Sequence, residues 1–252
     1  MIQSVDRALR ILLALQEERY LGVSELAARL GLAKGTVHGL LQTLAARAVV
    51  SQDAVSGKYM LGPALLVMGN VYLDSHELRV RSLRWASWLN EHTGLAVRVG
   101  VLVWPQVVVV HHLASRSAAM PVSEVGLELP AHATCLGKVM LAFHPDRAEL
   151  VEAGPLSRLT GATVTDSSRL LAELEEVTAT AVAVERQEAV VGEDGVAAAV
   201  FDAAGRVAGA VSLVVPAEDE PAGAETAMAS VRDAARAISR ELGASTWPPT
   251  LS

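Results

Sequence analysis

The sequence predicts an α+β protein: an N-terminal winged helix-turn-helix module, a linker helix, and a larger domain whose antiparallel sheet is flanked by helices. Three observations lead there. The first 62 residues carry three short helical periodicities followed by a hairpin pattern; beyond Gly94 the pattern changes to runs of β-branched residues; and charge divides between the two segments. The expected boundaries are 1–62 for the head, 63–75 for the linker, 76–244 for the body and 245–252 for a tail, in which 247–250 reads as disordered.

The first helix is expected over 4–15, where Val5, Ala8, Leu9, Leu12 and Leu15 share a face opposite Arg7 and Arg10. A second follows from Ser24, a good N-cap, with Glu25 complementing the dipole and Gly31 free to take the left-handed conformation that ends it. A third runs from Lys34, burying Val37, Leu40, Leu41 and Leu44 at i, i+3, i+4, i+7 spacing. Its outer face is small, polar and basic: Lys34, Gly35, Thr36, His38, Gly39, Gln42 and Thr43. Two short helices joined by a tight glycine turn form a helix-turn-helix. On such a helix Thr36, His38 and Gln42 can reach base edges in a major groove, while Lys34 and the Gly35 backbone sit near phosphate. Residues 49–53 and 58–61 flank a Ser56-Gly57 turn, a wing that could bring Lys58 to the DNA backbone. Gly35 and Gly39 each cost about 1 kcal/mol relative to Ala in an exposed helix interior. Close approach to DNA would justify them, as would tight helix packing; a module that only packs against protein is the bland alternative.

Pro63 can open a linker helix with Leu65, Met68 and Tyr72 on one stripe. Helix 76–91 carries Leu78, Trp85, Trp88 and Leu89, with Arg79, Arg81 and Arg84 expected on a solvated face. Residues 97–103 and 107–110 around Trp104-Pro105-Gln106 read as one buried hairpin, and 196–201 and 207–215 around the turn 202–205 as another. Helices fit at 134–143, 146–152, 168–180 and 220–242, giving an α+β layer architecture.

Composition bounds the function. A chain of 252 residues suits two domains, and 51% hydrophobic with 19% charged residues excludes wholesale disorder. No apolar run approaches the roughly 18 residues that span a bilayer, and residues 1–7 carry no signal-peptide pattern, so a cytoplasmic protein with no membrane partner is expected. The single cysteine, Cys135, excludes an intramolecular disulfide and a multi-cysteine metal site. A net charge of −7 argues against a nucleic-acid partner until it is divided: residues 1–62 carry +2 and the remaining 190 carry −9. A mildly positive head on an acidic body suits a DNA reader joined to a second function.

Residues 4–12, 26–44 and 58–62 resemble the N-terminal domain of IclR-type bacterial transcriptional regulators, and 130–138 and 195–206 resemble that family's effector domain. The motifs occur in the family's order over nearly the whole chain. Residues 32–39 and 72–79 are most similar to the glycerol operon regulators of actinobacteria, although Gly39 stands where the family commonly has Arg. The resemblance implies a GAF-like sensing body and a linker helix that dimerises the heads. It further implies a homodimer, or a dimer of dimers, on double-stranded operator DNA with an inverted repeat. By position it puts the effector pocket on Cys135, Leu136, Glu185, Gly195 and Ser212, with backbone N–H groups near Cys135 free to hold a carboxylate or phosphate. Gln187 replaces the first glutamate of the family's Glu-Glu pair, Glu188 keeps the second, and Val214 stands where relatives can keep a second hydroxyl. The implied role is repression of a glycerol or related carbon-catabolism operon, with glycerol or glycerol 3-phosphate as effector; another small organic acid is the alternative. Glu185, Glu188, Glu193 and Asp194 oppose a phosphate, so Lys138, His132 or Arg98 would have to offset them.

No cofactor or metal is expected. His132-x-x-Cys135 with His111 and His112 lacks a regular ligand spacing. Cys135 activated by His132 would make an enzyme, but no orienting group or oxyanion site is specified.

Overall fold

A computed structural model describes residues 2–120, 122–217 and 221–249, without the side chains of 221–224. The chain divides into two compact units that meet at Ser75 and His76.

The first unit holds α1 (Gln3–Glu17), α2 (Val23–Leu30), α3 (Lys34–Ala45), the strands β1 (Val50–Gln52) and β2 (Tyr59–Leu61), and α4 (Ala64–Ser75). Ile11, Leu15, Leu26, Val37, Leu41, Val50 and Tyr59 form its core. The inward face of α1 is rotated from the expected one. Ile11, Ala14 and Leu15 are buried, while Val5, Leu9 and Leu13 stay more than half exposed. Because α1 has apolar residues nearly all round, periodicity alone does not choose its face. Leu40 and Leu44 on α3 are only partly covered. Ser24 is not the cap of α2: the helix begins one residue earlier, Gly22 is the extended N-cap, and Glu25 Oε2 accepts its N–H at 2.5 Å. Gly31 does take the left-handed conformation, at φ 65°. β1 and β2 pair antiparallel, and Asp53 ties the wing turn by accepting from Ser56 N–H and Oγ. No side chain of α4 is buried; Leu66, Val67, Met68, Val71 and Tyr72 are each more than half exposed.

The second unit is a six-stranded antiparallel sheet ordered β5-β4-β3-β8-β7-β6. Its strands are β3 (Ala96–Val103), β4 (Gln106–Leu113), β5 (Glu128–Pro130), β6 (Val182–Arg186), β7 (Glu193–Phe201) and β8 (Val207–Pro216). The helices are α5 (Glu77–Thr93), α6 (Cys135–Ala142), α7 (Arg147–Ala153), α8 (Ser167–Thr180) and α9 (Pro221–Glu241). Alternation along β7 puts Ala197, Ala199 and Phe201 in one core with α6 and α8, and leaves Val196, Ala198 and Val200 for the other face. Every residue of α6 is buried. Its Lys138, fully out of solvent, reaches Glu173 Oε1 at 2.7 Å and Glu188 Oε1 at 2.5 Å. A buried cation persists only with such partners.

Two further expectations change here. Arg81 and Arg84 are exposed on α5, but Arg79 is half-buried and does not belong to a solvated face. The tail is docked through residue 249: Trp247 packs on the α6–α8 core, donates from Nε1 to the Ala199 carbonyl at 2.8 Å and lies under the Arg236 guanidinium. Thr250, the last residue of the stretch expected to be disordered, lies outside the described residues, as do 251 and 252.

Candidate functional site

On the head, α3 presents Lys34, Gly35, His38, Gln42 and Thr43 as exposed and Thr36 as partly exposed. The core contacts of Val37 and Leu41, both fully buried, fix which face remains outside. A Cβ built at Gly35 or Gly39 would meet nothing within 4 Å. Packing inside the described chain therefore does not require either glycine, and both leave bare backbone on the outer face. Thr43 is less available than its position suggests, because its hydroxyl donates to the Gly39 carbonyl within the helix at 2.9 Å. Lys58 is also engaged: its Nζ lies 2.9 Å from Glu25 Oε1 at a half-exposed site. Such a pair is weak enough for a phosphate to replace.

On the body, the five residues assigned by resemblance converge. Cys135, Leu136, Glu185, Gly195 and Ser212 line one cavity of about 230 Å³ with Arg98, Glu124, Leu129, Glu193 and Asp194. Three elements bring them together. α6 begins at Cys135 with Thr134 as its cap, accepting from Gly137 N–H. Glu185 on β6 is paired in register with Gly195 on β7. Ala197, two residues further along the same face, is paired with Ser212 on β8. Gly195 is small for a reason visible here: a Cβ would lie 2.7 Å from Cys135 Sγ and 3.3 Å from Glu185 Cγ.

The backbone N–H of Cys135 at the start of α6 is not vacant. Glu185 Oε2 accepts it at 2.7 Å, so the chain's own carboxylate occupies the position suggested for an anion. Burial raises the Glu185 carboxyl to about 7, against the lowering effect of that N–H bond. The Cys135 thiol is held well above its ordinary value by burial and by the neighbouring Glu185 carboxylate. That is the reverse of an activated nucleophile.

Of the three cations named as possible offsets, one reaches the cavity. Lys138 turns to Glu173 and Glu188 instead, and His132 Nε2 donates to the Ser157 carbonyl at 2.9 Å. Arg98 lines the wall, but its Nε and Nη2 are bound by Glu124 at 2.5 and 3.1 Å, with Glu193 at 3.7 Å. Burial opposes the Arg98 charge, yet these carboxylates outweigh it and hold its pKa up. Glu124 and Leu129 were missed in the sequence because they sit on or beside an aperiodic loop and a three-residue strand.

A helix-turn-helix head with an exposed polar reading helix, joined to an α+β body with an enclosed polar cavity, defines a ligand-responsive DNA-binding regulator. Residues 4–54 match the IclR helix-turn-helix domain, and residues 70–240 match the bacterial transcriptional regulator IclR C-terminal domain. The chain belongs to the IclR family of transcriptional regulators. It is 42% identical over 247 residues to the glycerol operon regulatory protein of Streptomyces griseus, covering 96% of this chain and 97% of that one. It is 40% identical over 248 residues to the protein of the same name from Streptomyces coelicolor, covering 96% and 97%. Among solved structures, an IclR transcriptional regulator from Silicibacter sp. TM1040 superposes with a TM-score of 0.83 at 26% identity, covering 98% of each chain. These relatives are transcription regulators, not enzymes. Among the described residues, no helix is long and apolar enough to cross a membrane.

Proposed function

We propose that this regulator represses a glycerol or related carbon-catabolism operon from the cytoplasm, and that a small three-carbon metabolite bound in the Cys135–Glu185 cavity shifts its operator affinity. The full-length likeness to the two Streptomyces glycerol operon regulatory proteins carries this reading. Thr36, His38 and Gln42 read base edges; Lys34, the Gly35 backbone, Thr43 and Lys58 meet phosphate or the groove wall. Two heads pair through the exposed apolar face of α4, so that two copies of α3 face an inverted repeat. Leu66, Val67, Met68, Val71 and Tyr72 supply a face that a monomer leaves in water. A dimer of dimers would extend the same contacts to two repeats.

The test is fluorescence anisotropy of a labelled duplex from the protein's own upstream region. Wild type should bind it specifically and with steep salt dependence, and a Lys34/Thr36/His38 triple alanine variant should not. Equal binding by the variant, with its fold intact by circular dichroism, would remove α3 as the reader.

A further inference from the structure

Resting on the proposed three-carbon effector, we propose that the ligand is the uncharged polyol and that the cavity excludes its phosphate ester.

Polar atoms of the cavity wall lack partners among the described residues. Ser212, 1% exposed, lines the cavity, and its hydroxyl takes part in no hydrogen bond with a described residue. Glu185, 7% exposed, uses Oε2 for the Cys135 N–H and leaves Oε1 unbonded by any described residue. Glu193, which shares the Gly195 face of β7, adds a second carboxylate to the same wall, 3.7 Å from Arg98. Polar atoms on side chains as deeply buried as Ser212 and Glu185, open to the cavity and unpartnered, mark a place for a ligand or water that satisfies them. Two of the three groups are carboxylates, so the missing partner must donate. A polyol brings one O–H per oxygen, each able to donate to a carboxylate, while the Ser212 hydroxyl can both donate and accept.

A phosphate dianion brings the opposite complement. Its oxygens accept, and its charge would enter beside Glu185 and Glu193. Arg98, the cation on the wall, is already bound through two nitrogens to Glu124, so capturing it would strand that carboxylate. The α6 N-terminus, the other natural anion site, is filled by Glu185. The raised pKa of Glu185, a consequence of burial, points the same way: the site disfavours negative charge even on its own side chain.

Equilibrium dialysis of the full chain against radiolabelled glycerol and radiolabelled glycerol 3-phosphate tests this. Glycerol should bind saturably at one site per chain, with glycerol 3-phosphate weaker by about tenfold or more, as expected for a like charge placed within a few ångströms. A Glu185→Gln/Glu193→Gln double variant removes two charges of the wall and keeps an oxygen acceptor at each position. It should hold glycerol within a few-fold and narrow the discrimination against the phosphate by about tenfold. Preferential binding of glycerol 3-phosphate by wild type, an unchanged preference in a folded double variant, or no glycerol binding by wild type would each overturn the proposal. Operator anisotropy on the same preparations reads the regulator assignment separately, since loss of specific DNA binding does not alter which ligand dialyses into the body.

Discussion

Glu185→Gln should stabilise the body at pH 8 and leave it nearly unchanged at pH 4.5. Glu185 is 7% exposed, and burial raises its carboxyl from 4.5 to about 7. The folded chain therefore holds this proton more tightly than the unfolded chain does. The stabilisation linked to the protonated carboxyl is complete below the unfolded value of 4.5 and is lost as pH rises through about 7. At ~1.4 kcal/mol per pH unit, the loss amounts to about 3 kcal/mol by pH 8. Glutamine cannot ionise, so the variant lacks this slope, and its amide oxygen can still accept the Cys135 N–H. All four tryptophans, Trp85, Trp88, Trp104 and Trp247, lie in the second unit, so tryptophan fluorescence during urea unfolding reports on the body alone. The quantity to plot is the variant-minus-wild-type stability between pH 5 and 8.5. His111 and His112 titrate from environments that lower their pKa by burial; they contribute to both proteins and cancel in the difference. A difference that stays flat with pH, or that shows the variant less stable at pH 8, would refute burial as the force that holds the Glu185 proton.

Other substitutions separate the two units. Gly195→Ala places a methyl 2.7 Å from Cys135 Sγ; it should lower body stability by about 1–3 kcal/mol by overpacking and abolish effector binding in dialysis, with operator affinity retained. Leu41→Ala empties a fully buried position of the head; it should cost the head about 2–5 kcal/mol in thermal unfolding and weaken DNA binding without moving the tryptophan-detected transition. Gln42→Ala should lose about 1–3 kcal/mol of discrimination at one base pair, whereas Lys34→Ala should weaken all sequences alike and reduce the salt slope by about 1. Trp247→Ala removes the cover over the α6–α8 core and its bond to the Ala199 carbonyl; a drop of about 2 kcal/mol in body stability is expected from urea unfolding.

Periodicity made most elements legible. The helices of the head, the wing and the two long hairpins all follow from spacing, because each buries one face against a core of its own unit. β5 and β6 did not show, for different reasons. β5 has three residues and ends in Pro130. β6 follows α8 directly, through Ala181 in a left-handed conformation that a sequence reader expects of glycine. The burial of Lys138 was also hidden, since its partners Glu173 and Glu188 lie 35 and 50 residues away. The candidate cavity was legible only through the family resemblance. Cys135, Glu185 and Ser212 have no local spacing, and the register of β6, β7 and β8 joins them. Neither route exposed the internal occupation of the α6 N-terminus by Glu185, which decides how an anion would fare there.

The central claim is that a small polar ligand in the body changes how the head binds DNA. Its most direct measurement is the anisotropy Kd of the full chain for its upstream duplex, taken with and without glycerol at fixed salt. Glycerol should change that Kd by about 5–150-fold, the range of a coupling free energy of ~1–3 kcal/mol, and Ser212→Ala should lose the change with its ligand-free Kd preserved. A wild-type Kd that glycerol leaves untouched at saturation would contradict it.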